Sequence, residues 1–158
     1  MGDFMLTIVI IVTIIVVGDI YMLRRITFAA ASVASLMIGA IIYVLFRPNS
    51  YIAIFVDGIM DMGTLRQFLE SSSTDFLKFY FPDFLWTLSL CFCLYAVFGL
   101  TKKRIIFFSL VAFFCSVAWE IIQWFSIVSG TGDIIDVIMY LLAGICAASL
   151  GLKKEKLK

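Results

Sequence analysis

Apolar and polar residues in this chain are sorted into long blocks rather than mixed position by position. Five apolar runs stand out, at residues 4–23, 27–46, 84–100, 105–127 and 134–152. A helix needs about 20 such residues to cross the hydrocarbon core of a bilayer. The blocks therefore predict an all-α fold, a polytopic membrane helical bundle with five transmembrane helices in a single membrane domain over residues 1–158. The second run holds Ala29, Ala30, Ala31, Ser32, Ala34, Ser35 and Gly39, and small residues let a neighbouring helix come close.

The segment 47–83 between the second and third runs is not a plain loop. Residues 51–62 are apolar but carry Asp57 and Asp61 one helical turn apart. That stretch is too short to span, so it predicts a short helix that lies in the interface or re-enters. Ser71 to Asp75 has N-cap chemistry, and Pro82 stops the short helix that follows.

Composition agrees with this picture and removes several function classes. The chain is 63% hydrophobic and 15% charged, whereas a soluble domain is about half apolar and about a quarter charged. A net charge of +1 argues against a nucleic-acid partner. Histidine is absent, which removes the usual general base and the commonest metal ligand. No P-loop, Ser/His/Asp set or Gly-rich phosphate loop occurs, so no cofactor is expected. Cys91, Cys93, Cys115 and Cys146 fall near mid-run, where buried apolar cysteine is the expected state and no metal site is read from them.

The charges set the orientation. Arg24, Arg25, Lys102, Lys103, Arg104 and the tail lysines make up nine of the 12 basic residues, and five spans place them all on one side. The positive-inside rule makes that side cytoplasmic, with the N-terminus outside on an uncleaved first helix. Trp86, Trp119 and Trp124 then fall near the outer interface, as an aromatic belt would. Asp19 lies near the cytoplasmic end of the first run, close to Arg24 and Arg25, and reads as a local ion pair.

One stretch departs from the apolar pattern. Glu120 and Gln123 lie one turn apart near the end of the fourth run. Asp133 and Asp136 repeat that spacing at the start of the fifth, and Tyr140 follows one turn later. Gly130 and Gly132 allow a tight turn between them, and Asp83 opens the third run at the same level. Carboxylates in apolar runs are costly, so Glu120, Gln123, Asp133, Asp136, Asp83 and Tyr140 form a candidate ligand-binding set. With no fixed cation beside them, the carboxylates call for protons or for a cation between them. The bland alternative is that Asp133 and Asp83 cap their helices.

At these residues the chain resembles the VanZ-like family, small bacterial membrane proteins named after a teicoplanin-resistance protein. Glu120-x-x-Gln123 and Asp133-x-x-Asp136 match the family's polar pairs in order and spacing, Gly144 and Gly151 match its glycines, and the likeness covers about residues 82–151. An Arg often found before the first Asp is absent here, and Tyr140 stands where the family has Asn. The resemblance implies a bacterial inner-membrane protein of the cell envelope, without an established catalytic mechanism and linked in some members to glycopeptide antibiotic resistance.

Three functions compete. The first is an outward-facing acidic pocket that binds a polar or cationic group of an envelope lipid, glycolipid or glycopeptide. The second is a membrane-embedded enzyme acting on a lipid head group, with Glu120 or Asp136 as acid/base or divalent-metal ligand. The third is a cation-coupled transporter, disfavoured because no internal repeat is present. Whether the chain is an enzyme is left open. Membrane lipid is the expected partner, and self-association is compatible with the small-residue faces.

Overall fold

The structure, a computed structural model, describes residues 23–48, 51–70, 74–125 and 132–156. The first apolar run, with Asp19, lies outside the described residues, as do Ser129, Gly130 and Thr131. The rest is all-helical, with seven helices in order: α1 Leu23–Phe46, α2 Tyr51–Asp57, α3 Gly63–Glu70, α4 Asp75–Phe79, α5 Phe81–Phe98, α6 Lys102–Trp124 and α7 Ile134–Lys156. Among the described residues four helices, α1, α5, α6 and α7, are long and apolar enough to cross a membrane. Where the pattern predicts two short helices, one over 51–62 and one after the Ser71–Asp75 cap, the segment contains three, Gly63–Glu70 being the addition.

The ends of these helices follow from local chemistry. Pro82 does not end a helix; it sits in the first turn of α5, where its missing N–H would have had no intrahelical partner. Gly99 ends α5 in the left-handed region at φ 82°, and its N–H bonds the Tyr95 carbonyl at 3.0 Å. Arg25 and Arg104 both lie against Gly99, so the basic ends of α1 and α6 meet at one end of the bundle. The Arg104 guanidinium donates to the Phe98 carbonyl at 2.6 Å, satisfying a carbonyl at the end of α5.

α5 is the central helix. Every residue from Leu85 to Cys93 is buried, so it is enclosed on all sides, by α1, α6 and α7. This corrects one expectation: Trp86 does not face the lipid boundary. It is buried against Tyr43, with ring centroids 5.3 Å apart, and only Trp124 of the three tryptophans is largely exposed. Two cysteines also differ from expectation. Cys91 and Cys93 are buried in α5, but Cys115 is exposed and Cys146 only half-buried.

The outer helices present narrow stripes to α5. On α6 the buried residues are Ile105, Ser109, Ala112, Ser116 and Glu120, at intervals of three and four. Hydroxyl pairs tie these stripes to the centre. Ser32 of α1 and Ser89 of α5 each donate to the other's backbone carbonyl, at 2.9 and 2.8 Å. Thr87 and Ser116 hydroxyls meet at 2.9 Å, and Tyr95 meets Ser109. Ser116 therefore ties α6 to α5. Side-chain hydrogen bonds between membrane helices contribute about 0.6 kcal/mol on average, up to about 1.7. Ser89→Ala is expected to cost about 1 kcal/mol, read as a lower midpoint when the protein is unfolded in SDS and followed by circular dichroism. An unchanged midpoint would show that the pair adds nothing to the packing.

Candidate functional site

Glu120 is the last member of the α6 stripe and is only 2% exposed. A charged carboxylate so placed needs donors on every side it turns from water. The start of α7 supplies them. The fully buried Tyr140 hydroxyl donates to Glu120 Oε1 at 2.6 Å, and the Asp133 backbone N–H donates to Oε2 at 3.2 Å. One carboxylate thus joins the last turns of α6 to the first turns of α7. Gly132 makes this junction possible, because a Cβ there would collide with the Trp124 indole.

Asp133 is a helix cap. It directly precedes α7, and its Oδ1 accepts the Ile135 N–H at 2.9 Å. Its Oδ2 accepts a long contact of 3.4 Å from the Tyr80 hydroxyl. Helical spacing does not single out Tyr80 as part of this set, although it lies just before Pro82-Asp83. Asp83 sits in the first turn of α5, where the helix dipole favours an acidic residue, and it is buried with Tyr140 in hydrogen-bonding reach. Asp136 lies one turn beyond Asp133, and its Oδ1 is buried without a hydrogen-bond partner among the described residues. Gln123 is half-buried, and no hydrogen bond joins its side chain to the others among the described residues.

A fixed cation does act on these carboxylates, at long range and without pairing with them. Arg47, at the end of α1, exerts its charge on both Asp83 and Asp136. Its guanidinium lies 5.0 Å from the centre of the Tyr43 ring, and Tyr43 packs in turn on Trp86. The signal is present in the chain order: Arg47 follows an apolar run on the side where Asp83 begins the next one. Its sequence distance from Glu120 hides it.

The geometry limits the chemistry. Tyr140 has one hydroxyl proton and two carboxylates, Glu120 and Asp83, within reach. One proton serves one of them as donor, so the other contact needs a proton or cation from elsewhere. Among the described residues, no three His, Cys, Asp or Glu side chains group as a metal ion would require. Two of the carboxylates, Glu120 and Asp83, share the Tyr140 hydroxyl. A groove of about 230 Å³ lies elsewhere, between α6 and α7, with apolar walls that include Leu110, Phe113, Leu141 and Ile145.

Comparison with known proteins adds no identity: no protein-family model, curated protein or solved structure matches the chain.

Proposed function

We propose that the chain is a VanZ-like integral membrane protein of the bacterial envelope. Five helices span the inner membrane, the fifth being the run at residues 4–23, with the N-terminus outside and the C-terminus in the cytoplasm. Arg25 and Arg104 against Gly99, with Lys102 and Lys103 beside them, support this orientation. The acidic residues Asp83, Glu120, Asp133 and Asp136 lie at the other end, which is then the outer one.

In this reading the acidic end binds a polar or cationic group of an envelope lipid, glycolipid or glycopeptide antibiotic. One observation carries it: Asp136 Oδ1 is buried and unpartnered among the described residues, beside a cluster whose carboxylates outnumber Arg47. A buried acceptor left without a donor costs about 1–3 kcal/mol, and an ammonium or hydroxyl from a ligand would recover it. Glu120 and Asp133 are already held by the fold, which makes Asp136 the residue a ligand would meet.

Native mass spectrometry of protein extracted from bacterial membranes tests this. Wild-type protein is expected to carry an amine- or hydroxyl-bearing envelope lipid, and Asp136→Asn to lose most of it while remaining folded. Equal lipid occupancy in the two proteins would overturn the binding role.

A further inference from the structure

In residues 51–70 the charged pair Arg66 and Asp57 turns inward while several large apolar side chains turn outward. Arg66 of α3 turns toward α1. Its Nε and Nη2 donate to the Val44 carbonyl at 3.3 and 3.0 Å, and its Nη1 donates to Asp57 Oδ2 at 2.6 Å. Arg66 is 14% exposed and Asp57 33%. Meanwhile Ile54 and Phe55 of α2, Ile59 in the turn and Leu65 of α3 are 58%, 70%, 70% and 44% exposed. Water-soluble surfaces have the opposite arrangement.

The Val44 carbonyl explains why the arginine is there. In a continuing helix it would accept the N–H of residue 48, but residue 48 is Pro48, which has none. Near a membrane boundary an unpartnered carbonyl is costly. Arg66 takes the place of that N–H and brings α3 with it. Asp57 balances the charge and ties α2 to the same point. Asp61 does different work from Asp57: its Oδ1 accepts the Gly63 N–H at 2.9 Å and starts α3.

Position decides between lying in the interface and re-entering. α2 and α3 have seven and eight residues, about 10–12 Å of helix at the usual rise, against a hydrocarbon core of about 30 Å. Both pack on α1 and on none of α5, α6 or α7, so they do not insert among the spans. They branch from the end of α1, and the Arg66 grip is on its last turn. α1 itself exposes Ile41, Ile38 and Met37 in the turns just before this branch point.

We propose that α2 and α3 lie flat in the outer membrane interface as a lipid-bound collar. Ile54, Phe55, Ile59 and Leu65 enter the acyl boundary, and Arg66 bolts the collar to Val44. The partner is the lipid surface itself. This rests on the membrane placement proposed above, not on the acidic site.

Spin labels on the full chain in vesicles of phosphatidylethanolamine and phosphatidylglycerol test it. Labels are introduced by Phe55→Cys, Leu65→Cys and Gln67→Cys in a background of Cys115→Ala and Cys146→Ala. A label on native Cys115, exposed on α6, reports the span. The labels at 55 and 65 are expected to collide with oxygen several-fold more than with a water-soluble nickel chelate, and the label at 67 to show the reverse. Nickel access at 55 and 65 with oxygen access at 115 would overturn the collar alone. Low access of both reagents at 55 and 65, which means cover by another copy of the protein, would overturn it too. Nickel access at 115 would sink the membrane placement. Adding Arg66→Met is expected to sharpen the spectra at 55 and 65 as the collar loosens, while helix content stays unchanged; unaltered spectra would remove the bolt.

Discussion

Glu120→Ala is expected to lower the unfolding free energy by about 3 kcal/mol, the largest loss from any single carboxylate in this protein. Two effects oppose each other. The substitution removes the acceptor of the Tyr140 hydroxyl and of the Asp133 N–H, both held between α6 and α7. Hydrogen bonds to a charged group contribute about 1.5–3 kcal/mol, and a buried hydroxyl left alone costs about 1–3. Against this, one negative charge leaves a neighbourhood that also holds Asp83 and Asp136. Relief of that repulsion is smaller where the charges are not in contact, so the lost bonds win.

Glu120→Gln separates the two effects. Gln keeps an acceptor for Tyr140 and drops the charge, so its stability is expected within about 1 kcal/mol of wild type, the scale of one net hydrogen bond. Tyr140→Phe placed on Glu120→Ala should recover part of the loss, because the orphaned hydroxyl goes with it. Unfolding in SDS, followed by circular dichroism, reads all three. If Glu120→Ala unfolds like wild type, Glu120 is not the tie between α6 and α7.

Gly39→Ala should cost about 2 kcal/mol by the same measurement. A Cβ at position 39 would stand 2.7 Å from Trp86 Nε1 and 2.8 Å from its Cδ1. The indole has nowhere to go: Trp86 is 5% exposed and packed on Leu36 and Tyr43. The helices must part, at a typical overpacking cost of 1–3 kcal/mol, roughly 3 at a contact this close. Alanine's better helix propensity returns about 1 kcal/mol. The net loss also strains the Ser32–Ser89 pair on the same interface. Trp86→Phe in the Gly39→Ala protein should recover part of the stability by giving α1 room. A Gly39→Ala protein as stable as wild type would mean that α1 and α5 are not this close.

The two substitutions probe different links in the same chain of causes. Gly39 acts through packing alone, since its nearest neighbours across the interface are Trp86 and Leu85. Glu120 acts through hydrogen bonds that also define the acidic end. Loss of ligand in Asp136→Asn without loss of stability would therefore separate binding from folding, which Glu120 alone cannot do.

The sequence by itself determined where the four described long helices lie and that the basic ends of α1 and α6 share a side. Runs of apolar residues of bilayer length leave little choice of element, and Pro82, Gly99 and Asp133 mark boundaries by chemistry that acts within a turn. It also singled out Glu120, because a carboxylate two turns inside an apolar run is too costly to stand there without partners. The faces are harder to read. Lipid is as apolar as leucine, so a lipid-facing residue and a core residue look alike in composition. Trp86 therefore reads as an interface residue, and Cys115 as a buried one. The buried stripe of α6, Ile105, Ser109, Ala112, Ser116 and Glu120, is small or polar after its first member and carries a readable period. The tertiary structure alone decided the remaining partners. Arg47 within electrostatic range of Asp83 and Asp136, Tyr80 against Asp133 and Arg66 on the Val44 carbonyl each bring together groups distant in the chain, through long side chains. Spacing along a chain reports neighbours within a helix, and it is silent about the groups that folding brings in from elsewhere.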